Sequence, residues 1–98
     1  MRILVASNST SKRTDYFIKA GRSLGADTCF VTYDELSAVL PDCRDTVVKL
    51  EPPVFREADF RKYNLLCEEY RSLLSRLADT DKSESVHFLN EPAAILCA

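Results

Sequence analysis

Ninety-eight residues, 46% of them hydrophobic and 29% charged, suffice for one domain with one core and are too few for two. Thirteen basic against fifteen acidic side chains leave a formal net charge of −2. That balance excludes the basic surplus a nucleic-acid binder or a polybasic membrane-surface module requires, so neither nucleic acid nor membrane is an expected partner.

The chain opens on Met1-Arg2-Ile3-Leu4-Val5-Ala6-Ser7, with one basic residue and a short apolar run. A secretory signal needs an apolar core of about 7–15 residues and a membrane-spanning helix roughly 20, so this segment reads as a first strand. Ile3 to Ala6 is apolar without alternation, the pattern of a strand covered on both faces. Ser7 to Thr14 is polar and rich in hydroxyls. Phe17, Ala20, Gly21 and Leu24 then recur at helical spacing, and Gly25 is placed to end that helix in the left-handed conformation.

Cys29-Phe30-Val31 is the second expected strand. Thr32 and Glu35 form a capping box for a short helix that buries Leu36, Val39 and Leu40 and stops at Pro41. Thr46 to Leu50 is a third strand, closed by Glu51-Pro52-Pro53, where two successive residues lack an N–H. From about Glu57 to Ala78 an apolar stripe including Phe60, Tyr63, Leu66, Tyr70, Leu73 and Leu77 predicts the longest helix. A charged loop over 79–85 precedes a fourth strand, Val86 to Leu89. Asn90 and Pro92 then fit the cap and first turn of a last helix.

The order βαβαβαβα, with no hairpin signal, makes the strands parallel through right-handed crossovers. The expected fold is a single Rossmann-like α/β domain over 1–98, a three-layer α/β/α unit with a four-stranded parallel sheet in the order 2-1-3-4. Ala93 to Ala98 continues an apolar helical pattern that stops after about two turns without a polar end, which predicts that the chain is part of a longer protein. Cys29, Cys43, Cys67 and Cys97 are widely spaced and contain no C-x-x-C pair. They read as free, largely buried thiols of a reducing cytoplasm.

Ligands of parallel α/β folds sit at the carboxyl ends of the strands. The first such loop offers Asn8, Ser9, Lys12 and Arg13 beside a helix N-terminus, a set suited to a small anionic ligand. It contains no glycine, so neither a dinucleotide turn nor a phosphate loop is present, and its hydroxyls also serve as helix caps. Glu51 and Asn90 end the third and fourth strands near the same edge. His87, the single histidine, lies mid-strand with no partner carboxylate evident from spacing. Neither a metal-ligand spacing nor a nucleophile elbow occurs, and no catalytic residue is expected.

Three segments together resemble a known type of domain: Arg2-Ile-Leu-Val-Ala-Ser-Asn8, Val48-Lys-Leu-Glu-Pro52 and Phe88-Leu-Asn-Glu-Pro92-Ala-Ala-Ile95. Their order is similar to the N-terminal domain that precedes the nucleotide module of ATP-grasp enzymes, where a strand ending in Asn-x-Pro leads into a helix of small residues. Lys49 to Pro53 followed by a long helix is similar to ATP-grasp-like bacterial proteins found beside radical-enzyme genes. The resemblance implies a substrate-side domain of an ATP-dependent carboxylate ligase that is not catalytic alone. ATP and Mg²⁺ would belong to a downstream module of the same protein, and Asn8, Glu51 and Asn90 would face the cleft between the two. The alternative is a stand-alone binding or regulatory module with an anion site at Ser7–Thr14, and a third reading is an interaction domain that pairs through its sheet edge.

Overall fold

The computed structural model describes residues 1–54, 60–79 and 86–90, together with Pro92 and Ile95. Four strands, β1 (Arg2–Ser7), β2 (Asp27–Thr32), β3 (Thr46–Leu50) and β4 (Val86–Phe88), alternate with α1 (Lys12–Ser23), α2 (Tyr33–Val39) and α3 (Phe60–Asp79). All pairings are parallel and the sheet order is β2-β1-β3-β4, as the pattern of runs and crossovers predicts. The protein is therefore an α/β fold of Rossmann-like, three-layer type.

Register sorts the strand residues onto two faces. Leu4, Cys29, Val48 and Phe88 form one row across the sheet, with Ala6, Val31 and Leu50 forming the next. These rows join Leu36 of α2 and Tyr70, Leu73, Leu74 and Leu77 of α3 in the main core. The opposite face carries Val5, Phe30 and Lys49 in one row and Ile3, Thr28 and Val47 in another, and α1 lies there. Its approach is close. A Cβ on Gly21 would fall 2.2 Å from Thr28 Oγ1, so only glycine lets the helix backbone reach β2 at that point.

Local signals explain most boundaries. Ser11 caps α1 in a reciprocal box with Thr14, and Thr32 caps α2 in a box with Glu35. Gly25, at φ 83°, turns the chain out of α1. Pro41 lies in a single 3-10 turn, Leu40–Asp42, that closes α2.

Some expected burials differ. Leu24, at the C-cap of α1, is 86% exposed, because the helix ends before that position comes round to the sheet. Val39 and Tyr63 are also exposed, each in a terminal turn of its helix. The second strand begins at Asp27 and the fourth ends at Phe88. The expected helix start at Glu57, residues 80–85, Cys97 and most of the last expected helix lie outside the described residues; Pro92 and Ile95 are helical, and Ile95 packs on the core. Among the described residues Cys29, Cys43 and Cys67 are free thiols, Cys43 buried and the other two partly so. No helix among them is long and apolar enough to cross a membrane.

Candidate functional site at the carboxyl edge of the sheet

The strand order reverses between β1 and β3, and the crevice outside their carboxyl ends is where this architecture places ligands. Asn8 leaves β1 there and Glu51 leaves β3. Asn8 Nδ2 donates to the Val54 carbonyl at 2.9 Å, and the Val54 N–H donates back to Asn8 Oδ1 at 2.7 Å. Asn90 treats Leu50 in the same way: its Oδ1 accepts from the Leu50 N–H at 3.2 Å and its Nδ2 donates to the Leu50 carbonyl at 3.0 Å. Each side-chain amide copies the donor and acceptor of a strand backbone, so the two asparagines prolong the sheet past its last paired residues. They hold the rim. Ser9 is half-buried in the loop between Asn8 and the α1 cap.

Glu51 is the most enclosed charge in the protein's described part, with a relative exposure of 3%. Its N–H donates to the Ala6 carbonyl, and its own carbonyl accepts the Tyr33 hydroxyl. The carboxylate lies on the α1 face, because Lys49 and Glu51 are two apart on one strand edge. Oε2 is 3.4 Å from Arg13 Nε and Oε1 is 3.3 Å from Lys49 Nζ. Lys49 also stands 5.2 Å from the centroid of the Phe17 ring of α1. Lys12 and Arg13 occupy the first two positions of α1 and are exposed. Sequence reasoning thus named Lys12, Arg13 and Glu51 separately, and the fold brings Arg13 and Glu51 into contact with a third group, Lys49, that it did not name. The signal was available: Lys49 is a cation at an otherwise apolar strand, two residues before the glutamate.

On the other face the same edge opens into a cleft of about 620 Å³ between the start of α2 and α3. Asp34, Glu68 and Glu69 line it with Ser72 and Arg76, and Asn8 reaches it from β1. The α3 members fall on one helical stripe, legible in the sequence as polar positions three or four apart. Tyr33 forms the cleft floor and stacks on Tyr70, with ring centroids 5.3 Å apart. Burial pushes the Tyr33 hydroxyl far above its ordinary pKa, and Tyr70 is raised by burial and then by the nearby Glu51 charge. Both hydroxyls therefore stay neutral at ordinary pH, and that of Tyr33 donates to the Glu51 carbonyl. His87 is exposed on β4, away from these groups in the sheet order. Among the described residues no group of three or more His, Cys, Asp or Glu side chains is placed to hold a metal ion.

The carboxyl edge therefore carries a mainly cationic cluster on the α1 side and a mainly acidic cleft on the α2/α3 side, with the Asn8–Val54 clasp at the crevice. No family model, curated protein or solved structure matches the chain.

Proposed function

We propose that these residues form the N-terminal, substrate-side domain of an ATP-grasp-like carboxylate ligase, a domain that holds substrate and does no chemistry alone. One observation carries the reading. The three sequence segments that bear the resemblance are far apart in the chain, yet they become the adjacent strands β1, β3 and β4, and their ends are tied to one rim by Asn8 and Asn90. A rim built from those three turns is the surface a downstream nucleotide module would close upon, with ATP and Mg²⁺ supplied from that module. Free cysteines support a reducing, cytoplasmic setting.

The reading frame beyond codon 98 tests this directly. The expected result is an in-frame nucleotide module, with the full-length product releasing ADP only when a carboxylate and an amine or thiol acceptor are supplied. A stop codon at that point, or a downstream sequence lacking such a module, overturns it. The alternative then stands: a free module binding a small anion at the start of α1, favoured by the Lys12 and Arg13 pair at the helix N-terminus.

A further inference from the structure

We infer that the cleft between α2 and α3 binds an aliphatic amine carrying two or more positive charges, a diamine or polyamine. Its place and size come first. Asn8 follows the last residue of β1, Thr32 ends β2 and Tyr33 opens α2, so the cleft lies at the carboxyl ends of two adjacent strands. Ligands of parallel α/β sheets sit at that edge, and about 620 Å³ is the size of a small-molecule site.

The lining then selects the ligand. The Asn8 amide is spent on Val54, the Tyr33 hydroxyl on the Glu51 carbonyl and the Thr32 hydroxyl on the Glu35 N–H. Asp34, Glu68 and Glu69 are exposed and enter no salt bridge or side-chain hydrogen bond among the described residues. Arg76, the one cation of the lining, has a partner of its own. Three carboxylates therefore hold the cleft negative, and an anion is repelled from it.

The placing of the charges separates an amine from a metal ion. Asp34 stands on α2, and Glu68 and Glu69 stand on α3, the two walls of the cleft. They do not gather into a group able to hold one ion. Two nitrogens joined by methylenes meet both walls at once. Apolar surface lines the same cleft: Leu65 is 59% exposed, Leu66 is half-buried and the Tyr33 ring forms the floor. Methylenes cover that surface while the charged ends stay at the carboxylates. The inference stands on this cleft and not on the ligase reading.

Calorimetric titration of the full-length gene product with spermidine, putrescine, n-butylamine and magnesium chloride at low salt tests the site. Spermidine and putrescine should bind saturably, more tightly than butylamine or magnesium, and added salt should weaken them. Asp34→Asn on one wall and Glu68→Gln/Glu69→Gln on the other should each weaken putrescine, by about 1.5- to 5-fold per carboxylate removed, the range of a solvated ion pair. All three side chains are exposed, so the melting temperature should stay near that of the wild type, which separates lost binding from lost folding. Asp15→Asn removes an exposed carboxylate on α1, outside the cleft, and should leave binding unchanged. No amine binding, butylamine or magnesium binding as tightly as putrescine, indifference to both cleft variants, or an equal loss with Asp15→Asn would each overturn the inference. The two readings fail separately: a stop codon after codon 98 with amine binding intact sinks only the ligase assignment. A nucleotide module present without amine binding sinks only the cleft.

Discussion

The two faces of the sheet are built from the same four strands and solve burial differently. On the α2/α3 face, Leu36, Leu73 and Leu74 pack against Leu4, Val48 and Leu50 with essentially no exposure, and the Tyr33–Tyr70 stack closes the top. On the α1 face the helix is held close by a missing side chain, Gly21 against Thr28, and the upper end is polar, with Lys49, Glu51 and Arg13. The first face is a dry core whose stability comes from apolar area. The second gives up apolar area near the carboxyl edge and holds a buried carboxylate between two cations. Apolar core and buried charge thereby lie on opposite sides of one sheet.

That division can be broken from either side. The largest effect should come from the dry face: Leu73→Ala, fully buried, should cost about 2–5 kcal/mol in urea unfolding, enough to threaten the folded state of so small a domain. A loss under that range would mean the site collapses around the cavity. Gly21→Ala should cost about 1–3 kcal/mol by overpacking, since its Cβ meets the Thr28 side chain. Adding Thr28→Ala should restore part of it, and an unchanged double variant would show that the close approach is not the cause.

Alkaline pH separates the faces further. The folded state raises the Tyr33 hydroxyl above its ordinary 10.0, so its contribution is complete below that pH and is lost as pH rises above it. Unfolding free energy should start to fall as pH passes about 10 and go on falling as pH rises further. Tyr33→Phe should flatten the decline, leaving the part due to Tyr70, whose hydroxyl is raised in the same direction. At the rim, Asn90→Ala removes two bonds to Leu50 and should cost about 1–2 kcal/mol, seen also as faster amide exchange at the end of β3. Smallest, Ser11→Ala should cost about 1 kcal/mol through the lost α1 cap, read from thermal melts.

Strand order, the Thr32–Glu35 capping box and the Gly25 stop were legible in the sequence because each depends on local chemistry or on the handedness of crossovers. The exposure of Leu24, Val39 and Tyr63 was not legible, because periodicity marks a helix face and does not say which of its positions the rest of the fold covers. The candidate site divides in the same way. Asn8, Lys12, Arg13, Glu51 and Asn90 announce themselves as polar residues at strand ends and a helix start. The duties of the two asparagines do not, since a side-chain amide can bind a ligand or a backbone with equal ease.

Residue order alone thus determined the parallel α/β architecture and the edge at which polar groups gather, because hydrophobic period and turn chemistry act over a few neighbours. Only the tertiary structure decided that Asn8 and Asn90 extend the sheet and that Glu51 is buried between cations from two elements. It also decided that an acidic cleft lies on the opposite side. Those are contacts between residues some 40 positions apart, and a chain must close on itself before their distances exist.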